Sequence, residues 1–93
     1  MNTSEPKAGE RITAVRVTED SLTIDLLDGR TVTVPLAWYP RLLHASEVER
    51  NNFRITGAGY IINWPDVDEH LSAQGILAGA PAPRAAAAVS NAG

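Results

Sequence analysis

Hydrophobic and polar residues alternate along the first third of the chain, and this period-2 pattern predicts antiparallel strands. Residues 11–17 alternate in this way, and residues 22–26 repeat the pattern after a short polar turn. Pairing across that turn sets Val15 opposite Ile24, so the apolar side chains of both strands fall on one face. The pattern therefore predicts a hairpin with one buried face.

Asp28 and Gly29 predict a second turn, and the register of the flanking strands decides its length. A two-residue loop would mix polar with apolar side chains on both faces. A three-residue loop with Gly29 in the left-handed conformation, a G1 bulge, instead pairs Ile24 with Val32. We therefore expect a bulged loop, followed by a third strand over residues 30–34 that ends at Pro35.

Two short helices are predicted after this meander. Trp38 and Leu42 are four residues apart and can share a helical face, provided that Pro40 lies in the first turn. Ser46 and Glu49 then have the spacing of a capping box, which predicts a second helix that begins at Ser46.

A second hairpin is predicted over residues 53–64. Its strands flank the turn at residues 56–59, which contains a Gly-Ala-Gly sequence and predicts a hairpin loop. This sequence lacks the third glycine and the βαβ setting of a dinucleotide-binding loop. We read it as a turn, with the hairpin ending at Pro65.

The next segment has the pattern of a helix start. Asp66 in the N-cap position and Glu69 three residues later predict a helix over residues 66–72, with Val67 and Leu71 as its buried pair. A last helical turn should end at Gly79.

These elements predict an α+β fold: a small antiparallel sheet, made of a three-stranded meander and a second β-hairpin, packed by short helices. We expect a flexible leader over residues 1–10, a single domain over residues 11–79, and a disordered Ala/Pro-rich tail over residues 80–93.

Composition narrows the possible functions. The 93 residues contain no cysteine, which excludes disulfides and thiolate chemistry, and they carry a net charge of −3 with no run of basic residues. Nucleic acid is therefore possible as a partner but not favoured by charge. The amino-terminal sequence has no apolar signal-peptide core and no apolar stretch is long enough to cross a bilayer, so we expect a cytoplasmic protein that does not bind membranes.

No group of residues predicts catalysis, a cofactor or a metal. Asp66, Asp68, Glu69 and His70 are close in sequence, but adjacent positions on the predicted helix point in different directions and cannot meet at one ion. Ser46 is explained by capping, and no residue in the sequence is an evident orienting partner for His44. We therefore predict that the protein is not an enzyme.

Four residues around the proline bend form the candidate interaction surface: Trp38, Tyr39, Arg41 and His44. Aromatic and arginine side chains are enriched at binding hot spots. Either tryptophan, Trp38 or Trp64, can instead belong to the core, since so small a domain depends on its large apolar residues.

The segments DGRTVTVPLAWYPRLLHAS and GYIINWPDVDEHLSAQGILAG resemble the small bacterial domain-of-unknown-function family 2442. The resemblance covers about residues 11–79. It implies a compact α+β domain, sometimes fused to a helix-turn-helix segment and often encoded in a toxin-antitoxin-like setting. It implies no established activity and no catalytic residues.

We therefore expect an uncharacterised, non-enzymatic protein-interaction module that binds a protein partner or a second copy of itself. The alternative is an antitoxin-like or transcription-regulatory protein that acts with a partner at nucleic acid. That alternative depends on whether folding gathers the scattered arginines Arg30, Arg41, Arg50 and Arg54 on one face.

Overall fold

The structure, a computed structural model, describes residues 7–79, in which the chain forms two three-stranded antiparallel sheets joined by short helices. In chain order the strands and helices are β1 (Ile12–Val17), β2 (Ser21–Leu26), β3 (Thr31–Pro35), α1 (Pro40–Leu43), α2 (Glu47–Asn51), β4 (Arg54–Thr56), β5 (Ile61–Trp64), β6 (Glu69–Ser72) and α3 (Ala73–Ala78). Short 3₁₀ turns occupy Ala8–Glu10, Leu36–Trp38, Gly57–Gly59 and Pro65–Val67. The predicted α+β class is confirmed.

The first sheet has the strand order β1-β2-β3 and the predicted register. Val15 lies opposite Ile24, and Ile24 lies opposite Val32. The bulged loop is also confirmed, because Gly29 has a φ of 99° and the Leu26 N–H donates to the Arg30 carbonyl over 2.8 Å. Alternation and turn geometry therefore specify this sheet locally.

The connection between the sheets contains the two predicted short helices. Pro40 lies in the first turn of α1, where the lack of an amide proton costs no helical hydrogen bond. The capping box of α2 is confirmed: the Ser46 Oγ accepts from the Glu49 N–H over 3.1 Å, and the Ser46 N–H donates to the Glu49 carboxylate over 2.8 Å. These bonds satisfy amides that the first turn of a helix leaves unpaired.

The second sheet has the strand order β4-β5-β6, and its third strand corrects the sequence prediction. The β4–β5 hairpin forms with the predicted Gly-Ala-Gly turn, and Ile55 lies opposite Ile62. The predicted helix over residues 66–72 is wrong. A 3₁₀ turn ends at Val67, and β6 then pairs antiparallel with β5, with Trp64 opposite Glu69.

Backbone conformation at Asp68 explains the correction. Asp68 has a φ of 55° and a ψ of 44°, a left-handed conformation that ends the turn and sends the chain back along β5. Aspartate tolerates this conformation better than most residues. The N-cap lies six residues after Asp66: Ser72 caps α3, and its Oγ accepts from the Gly75 N–H over 2.9 Å. Gly79 ends α3 as predicted, with a φ of 107°.

One hydrophobic cluster joins both sheets and the helices. Its buried members are Ile12, Leu22, Ile24, Leu26, Val34, Leu36, Tyr39, Leu42, Ile62, Trp64, Ala73 and Ile76. Trp64 is fully buried, and its Nε1 donates to the Arg50 carbonyl over 2.9 Å. Trp64 therefore ties β5 to α2 as well as filling the core.

Ordered structure begins before Arg11. The Gly9 carbonyl accepts from the Asp28 N–H over 3.1 Å, so the turn at Ala8–Glu10 contacts the β2–β3 loop. The first six residues of the predicted leader and the whole predicted tail, residues 80–93, lie outside the described residues, and the proposed domain boundaries remain predictions. Within residues 7–79, no helix combines the length and the apolar character needed to cross a membrane.

Candidate functional site

An open groove of about 1080 Å³ lies between the Trp38–Arg41 segment and the β6–α3 unit. We call it the β6 groove. Its lining residues are Trp38, Tyr39, Pro40, Arg41, Ile61, Glu69, His70, Leu71, Ser72, Gly75, Ile76, Ala78 and Gly79. Most of these side chains are apolar, and the few polar groups are concentrated at Arg41 and along β6.

The first wall of the groove is aromatic. The rings of Trp38 and Tyr39 meet edge to face, with 6.3 Å between their centroids. Trp38 is half-buried, while Tyr39 is 8% exposed and belongs to the core cluster. The 3₁₀ turn at Leu36–Trp38 and Pro40 in the first turn of α1 bend the backbone here, which places adjacent aromatic residues on the same groove.

Arg41 connects the aromatic wall to the start of β6. Its Nη1 donates to the Asp68 carbonyl over 2.6 Å and lies 3.8 Å from the Glu69 carboxylate. The Arg41 side chain is 61% exposed, so solvent screens this ion pair and its contribution to stability is small. The Arg41 contacts matter more for geometry, because they connect the two sides of the groove at one end.

Tyr39 has a perturbed hydroxyl group. Burial raises the pKa of Tyr39 above its ordinary value, and the nearby Glu69 carboxylate raises it further. Both effects disfavour the phenolate, so Tyr39 presents a neutral phenol to the groove at physiological pH. A neutral phenol suits a packing or hydrogen-bonding role better than nucleophilic chemistry.

The second wall is formed by an edge strand and by small residues. β6 pairs with β5 on one side and lies at the edge of its sheet, and all four of its residues line the groove. An edge strand directs half of its backbone N–H and C=O groups away from its neighbour. Beside it, Gly75, Ala78 and Gly79 of the α3 region present little side-chain volume.

The predicted interaction residues separate in the fold. Trp38, Tyr39 and Arg41 lie together on the groove, whereas His44 is exposed at the C-terminal end of α1 and is not part of the lining. Trp64 is a core residue. Tyr39 is more buried than a surface contact residue would be, because it also packs in the core.

The residues Asp66 to His70, considered above as metal ligands, belong to the β5–β6 turn and β6. Asp66 accepts a hydrogen bond from Asn52 over 2.9 Å, and Glu69 is close to Arg41. Among the described residues, no group of three or more histidines and carboxylates is placed to hold a metal ion.

Sequence reasoning missed the β6 and α3 side of the groove. The relevant signal was the alternation of Leu71 with His70 and Ser72, which is compatible with a half-buried strand. The Asp66 and Glu69 spacing favoured a helix instead. With β6 assigned as a helix, the open strand edge opposite Trp38 could not be foreseen.

Comparisons with known proteins identify the family and leave the activity open. Among curated proteins, none matches this chain. A solved structure, the crystal structure of a protein of unknown function from Rhodospirillum rubrum, is similar: it is 28% identical, the match covers 81% of this chain and 93% of that chain, and the TM-score is 0.69. The family model described as protein of unknown function DUF2442 matches residues 12–82. The chain therefore belongs to the DUF2442 family.

Proposed function

We propose that the protein is a cytoplasmic, non-enzymatic interaction module and that a protein partner binds in the β6 groove. One observation carries the proposal: the groove places an aromatic wall opposite an edge strand. Aromatic and arginine side chains supply contact energy at interfaces, and an edge strand supplies unpaired backbone groups. Both features are typical of surfaces that bind polypeptides.

The polar groups of the groove support binding rather than catalysis. Arg41 is engaged with Asp68 and Glu69, and Tyr39 is held in its neutral form. The Arg41 contacts connect the two walls of the groove at one end. A partner can use the same groups as hydrogen-bonding positions at the groove's polar end.

Affinity capture with matched variants tests the proposal. Ala78 is exposed and lines the groove, so Ala78→Trp fills the groove without removing a core contact. Val48→Trp is the control, because Val48 is 76% exposed on α2 and lies outside the groove. Each tagged variant is used to capture proteins from the encoding organism, and a captured partner is purified and titrated against the variants.

We expect the wild type and Val48→Trp to bind the partner equally, and Ala78→Trp to bind at least about tenfold more weakly. Equal binding by all three variants would contradict the role of the groove. Recovery of the isolated monomer alone under gentle conditions would contradict the interaction function itself. Sedimentation of the purified chain shows whether the partner is a second copy.

The alternative proposal, an antitoxin-like or regulatory role at nucleic acid, has less support. Three of the four scattered arginines have acceptors in the fold: Arg30 pairs with Asp28, Arg41 with Glu69, and the Arg50 guanidinium donates to a backbone carbonyl. Such arginines are less available to phosphates. A titration with the DNA upstream of the protein's own gene discriminates, since phosphate contacts require an affinity that falls with salt.

A further inference from the structure

We infer that the segment bound in the β6 groove is an extended strand of a basic partner protein, which pairs with the edge of β6 and places lysine or arginine side chains beside the β5–β6 turn. This inference rests on the proposed function and specifies the chemistry of the partner. Three features of the groove support it: its open backbone edge, its apolar floor and the charge at one end.

Backbone groups at the edge of β6 are directed toward the groove. The Asp68 carbonyl, at the start of this edge, already accepts a hydrogen bond from the groove residue Arg41 over 2.6 Å. Along the rest of β6, the register turns the backbone groups of His70 and Ser72 away from β5, and the Ser72 carbonyl is already used by the first turn of α3. An extended segment can form hydrogen bonds with the unpaired backbone groups at this edge, whereas a helix has its backbone groups bonded internally.

The apolar floor suits alternate side chains of a strand. Leu71 supplies apolar surface on one face of the sheet, Ile61 lies on the opposite face because Leu71 pairs with Ile62, and Ile76 is only 2% exposed. Ala78 and Gly79 leave room beside them. Successive side chains of a strand point to opposite faces, so every second residue of the bound segment enters the groove. Apolar residues are therefore expected at alternate positions of the partner.

The polar end of the groove favours a basic partner. Arg41 and Glu69 offset each other's charge. Asp66 and Asp68 are exposed acids of the adjoining β5–β6 turn, next to the lining residue Glu69, and the Asp66 carboxylate also accepts from Asn52. The whole chain also carries a net charge of −3. Complementary charge increases the rate of association and selects between partners, so lysine or arginine should follow the apolar positions.

A peptide selection tests this chemistry directly. A phage-displayed library of random linear 12-residue peptides is panned on the full-length chain and counter-selected on Ala78→Trp. We expect enriched peptides with alternating apolar residues and a lysine or arginine near one end. Binding of the corresponding synthetic peptides is measured through the fluorescence of Trp38, which lines the groove and is half-buried, whereas Trp64 is fully buried.

Charge variants measure the electrostatic contribution. Asp66→Asn and Asp68→Asn should each weaken the selected peptides by about 1.5- to 5-fold, the range for an exposed ion pair, and added salt should reduce the difference. Glu19→Gln is the control, because it removes an exposed acid from the β1–β2 turn of the first sheet, whereas Asp66 and Asp68 belong to the turn that leads into the lining residue Glu69. Acidic selected peptides, or equal effects of all three variants, would overturn the charge assignment.

Backbone pairing is measured by amide hydrogen exchange. Peptide binding should slow exchange in β6 and leave β2, the central strand of the first sheet, unchanged. The inference fails if no peptide is enriched, if the bound peptide is helical, or if the β6 amides are not protected. Slow exchange, in the peptide-free monomer, of the β6 amides that point away from β5 would mean that the chain fills its own groove. Protection of the same amides that rises with protein concentration would identify a second copy, and either result overturns the inference.

The experiments distinguish a failure of this inference from a failure of the proposed function. If a captured partner is lost on Ala78→Trp while the selected peptides are acidic or helical, the groove binds proteins and the extended basic segment is wrong. If the captured partner survives Ala78→Trp, the proposed function of the groove fails first.

Discussion

The two three-stranded sheets of this domain differ in how they are held together. The first sheet has strands of five or six residues, local hairpins and an outer face on which polar side chains bond one another. On that face Thr23 bonds Thr33 over 2.9 Å, and Asp25 accepts from both Arg16 and Thr31. The second sheet has strands of only three or four residues, and Trp64 of β5 bonds the Arg50 carbonyl of α2.

The difference matters for function. Side-chain bonds that remain within the first sheet make its outer face self-contained. The second sheet instead leaves β6 at an edge that faces a groove, and its turns require left-handed backbone at Ala58 and Asp68. Irregular backbone of this kind is common where a fold presents a binding surface. The first sheet therefore has the self-contained polar face, and the second sheet has the open edge at which we propose that a partner binds.

Removing Trp64 should have the largest effect, because it tests the dependence of the second sheet on the core. We expect Trp64→Ala to lower the free energy of unfolding by about 3–5 kcal/mol, through lost burial and an unpaired Arg50 carbonyl. So small a domain should then be largely unfolded. Urea denaturation followed by circular dichroism measures the change.

Trp38→Ala is the matched comparison for Trp64→Ala. Trp38 is half-buried on the groove, so its removal should cost no more than about 1–2 kcal/mol. Equal costs for the two tryptophans would contradict the separation between a core aromatic residue and a groove aromatic residue.

Substitutions in one turn of each sheet test how much each turn depends on left-handed backbone. Gly29 closes a first-sheet hairpin with a φ of 99°, and Asp68 occupies the β5–β6 turn with a φ of 55°. Gly29→Ala should destabilise the protein by about 1–2 kcal/mol, because a Cβ disfavours left-handed backbone. Asp68→Gly should be neutral or slightly stabilising for the same reason. A loss near 1 kcal/mol for Asp68→Gly would contradict this relief of left-handed backbone strain, because it would leave only the larger unfolded-state entropy of glycine.

Substitutions in the capping box test whether α2, which connects the sheets, supports the second sheet. Ser46→Ala removes the acceptor for the Glu49 N–H and should cost about 1 kcal/mol in thermal or urea unfolding. Ser46→Asp restores an acceptor at the same position and should recover most of the loss. Because α2 also supplies the carbonyl that binds Trp64, amides of β5 should exchange faster in Ser46→Ala than in the Asp variant. Unchanged β5 exchange would show that α2 does not support the second sheet.

The sequence predicted the regular sheet well because its information is local. Val15, Ile24 and Val32 alternate with polar residues in short hairpins, so the hydrophobic pattern settles both the register of the strands and the length of the turn. β6 could not be predicted in the same way, since Leu71 is its one strongly apolar residue and the Asp66–Glu69 spacing imitates a helix cap. The left-handed conformation of Asp68 and the pairing of β6 with β5 decide the conformation of this segment instead. Composition alone points to Trp38, Tyr39 and Arg41 as contact residues. The β6–α3 side of the groove that faces them lies about thirty residues further along the chain, so the sequence pattern does not connect the two.

The smallest expected effect concerns the polar outer face of the first sheet. A hydrogen bond from Arg16, followed by one from Thr31, lowers the pKa of Asp25 below its ordinary value of 3.8. Because the pKa is lower in the folded state, ionised Asp25 contributes stability above the unfolded-state value, and this contribution is lost as the pH falls through the folded-state pKa. Its size is limited because water reaches the pair.

Carbon-detected NMR titration of the Asp25 carboxyl measures this shift directly. Its midpoint should lie below 3.8 in the wild type and rise toward that value in Arg16→Met, with a smaller rise in Thr31→Val. In urea unfolding, the stability difference between wild type and Asp25→Asn should decrease as the pH falls, since protonated aspartate resembles asparagine. A stability difference that is constant with pH would mean that the Arg16–Asp25 pair does not stabilise the first sheet. The side-chain bonds on its outer face would then not distinguish that sheet from the second one.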